Sequence, residues 1–191
     1  MLSAEKARCT LLWMNTLQCP ICTLEPMVEA HAPEMFVVLS DPAIYEFENV
    51  PPPSVERLAE GFRRRESRVS PDGCEQWLNW AIRLHSGELA GYVQATVLAS
   101  GESYIAYEMS SRFWRRGIGS AAVTAMMSEL ASHYHVHTFV AVLKTNNFRS
   151  VALLSHLGFS PANVAQLAKF EPEADERVMV RRATASAASA W

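Results

Sequence analysis

The most restrictive feature of the chain is a strand, a glycine-containing turn and a helix in immediate succession. Residues 103–109 alternate as a half-buried strand does, and residues 117–132 have the apolar spacing of an amphipathic helix. The first amides of such a helix lack internal partners and lie at the positive end of its dipole. The turn carries Arg115, Arg116, Gly117 and Gly119. The unit therefore predicts either a phosphate-binding turn or a plain tight turn.

The rest of the pattern predicts a mixed α/β fold. Ser54 is the predicted N-cap of one helix, and Ser86-Gly87 is the predicted turn of a hairpin. Further strands are predicted at residues 22–27, 76–84, 88–99, 136–143 and 177–182, and further helices at 31–39, 54–67 and 147–157.

The charge balance argues against several classes of partner. The net charge is −3, so no overall field attracts nucleic acid or an anionic membrane. No apolar run approaches the roughly 20 residues that span a bilayer. Lys6 and Arg8 precede a short apolar run at Leu11, but this run is too short for a signal peptide. We predict a cytoplasmic protein without a nucleic-acid or membrane partner.

Cysteines and histidines offer an alternative, a zinc-dependent interaction protein. The Cys19–Cys22 spacing could supply half of a zinc site or a redox pair, and three alternating histidines would share one face of a strand. These are His133, His135 and His137. Because no second ligand pair follows the cysteines, we predict reduced thiols in a poorly ordered segment and no metal.

A dinucleotide-binding βαβ unit is also disfavoured. That fold places an acidic residue at the end of the strand that follows the helix. The strand predicted at residues 136–143 is followed by Lys144 instead.

Two ordered motifs carry a resemblance to a known family. The segment Trp114-Arg-Arg-Gly-Ile-Gly119 resembles the pyrophosphate loop of the GNAT superfamily of N-acetyltransferases, with a Trp as in the RimJ/RimL-like, ribosomal-protein alanine branch. The segment Asn147-Phe-Arg-Ser-Val-Ala-Leu-Leu-Ser-His-Leu-Gly-Phe159 is similar to a second motif of that branch. The resemblance spans roughly Thr23 to Arg182.

The resemblance implies a GNAT fold, with a mixed central sheet of about six to seven strands and about four helices. It implies acetyl-CoA as co-substrate, an amine acceptor, direct attack through a tetrahedral intermediate, no metal, and a homodimer as a possible assembly. Asn147 would contact the pantetheine, and the Met109 amide would hold either the thioester carbonyl or the first pantetheine amide. The implied cofactor-binding set is Met109, Ser110, Arg115, Arg116, Gly117, Ile118, Gly119, Ser120, Asn147 and Ser150. Asn147 also has the residue type of a helix N-cap.

The catalytic groups are expected near the end of the central strand. Glu108 is the candidate general base and Glu102 the second candidate. Many family members place a Tyr where this chain has Leu154, so Ser150 or a water is expected to protonate the leaving thiolate. The missing Tyr also supports a rival hypothesis, a catalytically silent acyl-CoA sensor.

The domain boundaries follow from the two ends of the resemblance. Residues 1–20 are expected to be a poorly ordered N-terminal extension, residues 21–182 the acetyltransferase domain, and the Ala- and Ser-rich residues 183–191 a disordered tail.

Overall fold

The chain folds around one mixed β-sheet. The structure, a computed structural model, describes residues 14–183. The strands are β1 (Leu17–Gln18), β2 (Cys22–Pro26), β3 (Glu75–Leu84), β4 (Leu89–Leu98), β5 (Glu102–Met109), β6 (Thr138–Lys144), β7 (Ser160–Pro161) and β8 (Glu176–Arg182). They are ordered β1-β2-β3-β4-β5-β6-β8-β7, and all neighbours are antiparallel except β5 and β6.

Five α-helices cover the two faces of this sheet. They are α1 (Ala32–Leu39), α2 (Val55–Arg65), α3 (Ile118–His133), α4 (Phe148–His156) and α5 (Val164–Phe170). On one face α3 and α4 bury Met126 and Leu154 against Trp80 of β3. On the other face α1 and α2 bury Met35 and Phe62, and α5 packs nearby on β5, β6 and β8. The molecule therefore has three layers.

The alternation of β4 shows how the sequence specifies these layers. Val93, Ala95 and Val97 are at least 95% buried under α3 and α4, which is the burial that apolar side chains favour. Tyr92 and Gln94 point to the opposite face, because successive strand residues alternate. That second face carries polar groups beside the candidate site.

The predicted fold class is confirmed, with additions. Within residues 14–183 the sheet has eight strands rather than six or seven, and five α-helices occur rather than about four. The strands β1 and β7 have two residues each, too short to show a periodicity. Helix α5 has only two turns and leaves Val164 exposed, so its sequence resembles a loop. Ser54 caps α2 as predicted, its hydroxyl accepting from the Arg57 amide.

Residues 14–20 of the expected N-terminal extension include strand β1. Strand β1 pairs with β2, and Cys19 and Cys22 lie in the core rather than on a loose segment. Burial raises the pKa of the Cys22 thiol to about 12. The remainder of the extension, residues 1–13, and residues 184–191 of the predicted tail lie outside the described part of the chain.

The histidines also differ from expectation. His133 ends α3, His135 lies in the following turn and His137 precedes β6, so the three do not share a strand face. Among residues 14–183 no group of three potential ligands is placed to hold a metal ion. No helix in the same range is both long and apolar enough to cross a bilayer.

Candidate active site

A cleft opens in the middle of the sheet because β5 and β6 separate. They pair only from Glu102–Tyr104 to Thr138–Val140 and then diverge. The second half of β5 thus borders a gap on the β6 side, while its other edge stays paired with β4. The predicted turn and the Asn147 motif both lie at this gap.

The glycine turn closes one end of the cleft. Arg115 and Gly117 have φ values of 60° and 77°. This is the left-handed region, which glycine adopts without steric cost. The first bond inside α3 runs from the Ala121 amide to the Gly117 carbonyl. The amides of Ile118, Gly119 and Ser120 precede it and have no partner within the helix. They offer an anion site at the positive end of α3.

The surroundings of Gly119 leave little room for a side chain. A Cβ atom at this position would lie 3.4 Å from Leu153 Cδ2 and 3.6 Å from Met109 Cε. A methyl group therefore just fits, and any larger side chain extends into the cleft.

The opposite wall is the first turn of α4. The Asn147 side-chain oxygen accepts from the Ser150 amide at 3.1 Å, so Asn147 is an N-cap. Its amide nitrogen is free of this role and lies 3.5 Å from a Glu48 carboxylate oxygen. The two ends of one side chain thus perform separate tasks.

Glu108 lies at the carboxyl end of β5, where it faces Tyr92 of β4. Burial raises the pKa of the Glu108 carboxyl above its ordinary value, and the nearby charge of Glu48 adds to the rise. Hydrogen bonds from Tyr92 and Asn49 act against this increase in pKa. A carboxylate with a raised pKa is a better proton acceptor at neutral pH.

Glu102, the second candidate for the general base, lies outside the cleft. It begins β5, about 20 Å along the strand from Glu108 at the usual rise per residue. Its carboxylate accepts from Lys169 at 2.5 Å and from Ser100 at 3.0 Å. The Lys169 hydrogen bond lowers the pKa of Glu102. A paired carboxylate outside the cleft is not a base for this site.

Most of the predicted site residues line one cavity of about 760 Å³. They are Glu108, Met109, Arg115, Gly117, Ile118, Gly119, Ser120, Asn147 and Ser150.

Ser110 and Arg116 are the exceptions. Ser110 is 6% exposed, and its amide and hydroxyl donate to Ala90 and Asp41. Arg116 is exposed, with its guanidinium 5.8 Å from the Phe113 ring centre. Ser110 therefore has no donor left for a cofactor.

A segment that sequence reasoning missed, residues 46–49, lies across the mouth of the cavity. Glu46 pairs with Arg149 at 2.6 Å, and Phe47 packs edge-on against Phe148. Glu48 and Asn49 contact Asn147 and Glu108, as described above. The Asn49–Glu108 contact joins residues 59 positions apart and the other contacts join residues about 100 positions apart, so no local pattern reveals them. Tyr92 and Tyr107 also line the cavity without having been predicted.

A second groove of about 1010 Å³ adjoins the cavity on the face of Glu108. Gln94 of β4 lines both. The groove continues over Asn79 and Trp77 of β3 to the end of α2. A molecule that reaches Glu108 from this face has room to extend across the sheet.

Comparison with known proteins identifies the family. Residues 22–160 match the family model described as an acetyltransferase (GNAT) domain. A search of curated proteins finds no match.

The fold is shared with solved acetyltransferases. The ribosomal L7/L12 α-N-protein acetyltransferase RimL in complex with CoA has a TM-score of 0.75 at 18% identity, covering 90% of this chain and 100% of that one. RimJ from Mycobacterium smegmatis in complex with CoA-disulfide has a TM-score of 0.70 at 21% identity, covering 90% and 88%. The microcin C7 self-immunity acetyltransferase MccE, in complex with acetyl-CoA and AMP, has a TM-score of 0.71 at 16% identity, covering 86% and 93%.

These neighbours share the fold, and the family match covers most of the chain. The chain therefore belongs to the acetyltransferase (GNAT) domain family, whose co-substrate is acetyl-CoA.

Proposed function

We propose that the protein transfers the acetyl group of acetyl-CoA to a primary amine by direct attack through a tetrahedral intermediate. The observation that carries this proposal is the cleft between β5 and β6, which has unpaired helix amides at one end and a buried carboxylate on its wall. The amides suit a pyrophosphate and the carboxylate suits an amine that must lose a proton.

Acetyl-CoA binding is assigned to three groups along the cleft. The pyrophosphate would accept from the amides of Ile118 to Ser120, with Arg115 adding positive charge at the same end. The pantetheine would pass the Asn147 amide, and the Met109 amide would hold the thioester carbonyl. A donor at that carbonyl stabilises the oxyanion of the tetrahedral intermediate.

The proton of the amine is assigned to Glu108. Its carboxylate would accept this proton directly or through a water molecule as nitrogen attacks the carbonyl carbon. Tyr92 faces the carboxylate from β4 and lowers the pKa of Glu108. Ser150, the residue expected from the resemblance to protonate the thiolate, lines the same cavity.

The acceptor is proposed to be a primary amine, either a protein N-terminus or a small molecule. RimL acts on the α-amino group of a ribosomal protein, and the complex of MccE contains AMP beside acetyl-CoA, so this fold accommodates both a protein substrate and a small molecule. The groove that continues from Glu108 over Gln94 is the side from which we propose the acceptor enters.

A cytoplasmic location without a nucleic-acid or membrane partner remains our proposal, supported by the net charge of −3. The expected homodimer is a separate proposal, which light scattering of the purified protein tests directly.

A sensor without turnover is the second candidate function. The position that often carries a Tyr in this family holds Leu154, which is 1% exposed and offers no proton. Thiol release from acetyl-CoA, measured with a panel of peptide and small-molecule amines, separates the two functions. Amine-dependent release supports the transferase, whereas tight binding with no release for any amine supports the sensor.

Asn147 provides a test that separates helix capping from cofactor binding. In Asn147→Asp the cap acceptor remains, but the donor is replaced by a carboxylate oxygen beside Glu48, so we expect about tenfold weaker acetyl-CoA binding and a small loss of stability from repulsion by Glu48. Asn147→Ala should in addition lose about 1 kcal/mol of stability. Calorimetry and thermal unfolding measure the two effects.

A second asparagine cap serves as the control for this test. Asn163 caps α5 in the same way, outside the residues that line the cavity. Asn163→Ala should lower the free energy of unfolding and leave acetyl-CoA affinity unchanged. If Asn147→Asp binds acetyl-CoA as the wild type does, Asn147 is a helix cap and nothing more.

Tyr92→Phe should change the pH dependence without removing the base. The Tyr92 hydrogen bond lowers the pKa of Glu108, so its loss raises that pKa further. The acidic limb of kcat/KM then moves to higher pH, while the rate well above the limb stays close to that of the wild type. An unshifted limb would show that Tyr92 does not act on the titrating group.

A further inference from the structure

Tyr107 presents a second titratable group to the cavity, on the opposite side of β5 from Glu108. The two residues are adjacent, so their side chains point to opposite faces of the sheet. Glu108 faces Tyr92 and the adjoining groove, whereas Tyr107 packs under α3 and α4. Both residues line the same cavity.

The Tyr107 hydroxyl has a poor hydrogen-bond partner. Its contact is with the Ser150 carbonyl oxygen in the first turn of α4, at 3.5 Å. Ordinary O–H···O bonds are about 2.5–3.0 Å long, so this donor is nearly unsatisfied. Tyr107 is half-buried, and a hydroxyl donor so far from its acceptor calls for an explanation, which an acceptor supplied by a ligand would provide. The contact places the hydroxyl between β5 and Ser150.

We propose that Tyr107 is the proton donor to the CoA thiolate, an inference that rests on the proposed function. As the amine nitrogen bonds to the acetyl carbon and the carbon–sulfur bond breaks, the electron pair of that bond moves to sulfur. The Tyr107 hydroxyl donates to the sulfur and its proton passes to it. Glu108 holds the proton from the amine, and water returns a proton to the phenolate.

The protonation state of Tyr107 fits this role. Burial raises the pKa of Tyr107 to about 12, and the nearby charge of Glu48 contributes to the rise. The hydroxyl therefore carries its proton throughout the neutral range. Ser150 offers an aliphatic hydroxyl, a much weaker acid than a phenol, and Leu154 offers none.

A matched pair of variants tests the assignment. Tyr107→Phe should lower kcat about 100-fold, within the usual range of a general acid, and leave the KM for acetyl-CoA nearly unchanged. Tyr104→Phe removes a phenol from the same strand outside the residues that line the cavity, and should leave kcat unchanged. Ser150→Ala should reduce kcat much less than Tyr107→Phe.

The alkaline limb of the kcat–pH profile distinguishes the two possible roles of Tyr107. Ionisation of the phenol lowers kcat if Tyr107 is the proton donor, but not if its role is purely structural. With 3,5-difluorotyrosine at position 107, a more acidic phenol, this limb should move to lower pH. Unchanged kcat in Tyr107→Phe, or an unmoved limb in the fluorinated protein, would overturn the proposal.

Hydrolysis of acetyl-CoA, measured as thiol release without any amine, keeps the test independent of the acceptor. Tyr107→Phe should slow this release as well. A wild-type protein that binds acetyl-CoA but releases no thiol, either to water or with any amine of the panel, would overturn both the proposed function and the role of Tyr107. Normal wild-type release with an unaffected Tyr107→Phe would contradict the role of Tyr107 alone.

Discussion

Glu108→Gln is expected to acetylate an amine about 100- to 1000-fold more slowly than the wild type, because the general base is removed. The glutamine keeps the shape of the side chain and can still accept from Tyr92. KM for acetyl-CoA should change little, since Glu108 is assigned to the acceptor side of the cleft. The measurement is initial thiol release at saturating acetyl-CoA.

The raised pKa of Glu108 also predicts how the acetylation rate depends on pH. The pKa of Glu108 is raised, so the wild-type rate increases as pH rises through a value above that of an ordinary glutamate. Below that pH the carboxyl is protonated and cannot act as a base. In Glu108→Gln this acidic limb should disappear. A variant that retains the wild-type limb would remove Glu108 from the mechanism.

The stability of the same variant should not fall at neutral pH. A carboxylate whose folded pKa is raised destabilises the fold once it is ionised, and this penalty is absent below the unfolded pKa. Glu108→Gln removes the penalty, so the melting temperature at pH 7 should equal or exceed that of the wild type. A lost rate with a lower melting temperature would indicate unfolding instead.

Glu102→Gln is the matched control. Glu102 lies on the same strand and is paired with Lys169 rather than facing the cleft. The variant should lose the hydrogen-bonded ion pair and some stability but keep the wild-type rate. A large rate loss in Glu102→Gln would show that the assignment of the base is wrong.

Gly119→Trp is expected to reduce acetyl-CoA affinity at least 100-fold, about 2.7 kcal/mol at 25 °C. Space at this position is limited by Leu153 and Met109, so the indole must extend over the amides that are assigned to the pyrophosphate. Gly119 has no positive φ that a side chain would strain. The fold should therefore survive, with a melting temperature close to that of the wild type.

A tryptophan introduced away from the cleft is the control for the size of the new side chain. Ala99 lies in the exposed turn between β4 and β5, at the end of β5 away from the cleft. Ala99→Trp should bind acetyl-CoA as the wild type does. If Gly119→Trp also binds normally while remaining folded, the pyrophosphate is not held at this turn.

The parts of the site that sequence predicts are those with local backbone requirements. Gly117 adopts a left-handed conformation, and Asn147 caps the helix that follows it. Both features can be recognised from a few neighbouring residues in the sequence. Strand and helix periodicity likewise placed Glu108 at the end of β5. Such features depend on neighbours in sequence.

The parts that sequence did not predict depend on distant pairings. The charge of Glu102 is satisfied by Lys169, 67 positions away, which removes it from the chemistry. Segment 46–49 reaches the cavity only through contacts with α4 and β5. Cys19 and Cys22 are buried because β1 pairs with β2 and packs beneath α3. No pattern within one segment carries this information.

The central claim is that the amides at the start of α3 bind the pyrophosphate of acetyl-CoA. The most direct measurement is calorimetric titration of the wild-type protein with acetyl-CoA and with S-acetylpantetheine, which lacks the pyrophosphate together with the adenosine 3′-phosphate attached to it. Acetyl-CoA should bind with a measurable heat of binding and at least 100-fold more tightly than S-acetylpantetheine, a difference in binding free energy of about 2.7 kcal/mol. Equal affinities, or no heat with acetyl-CoA, would contradict the claim.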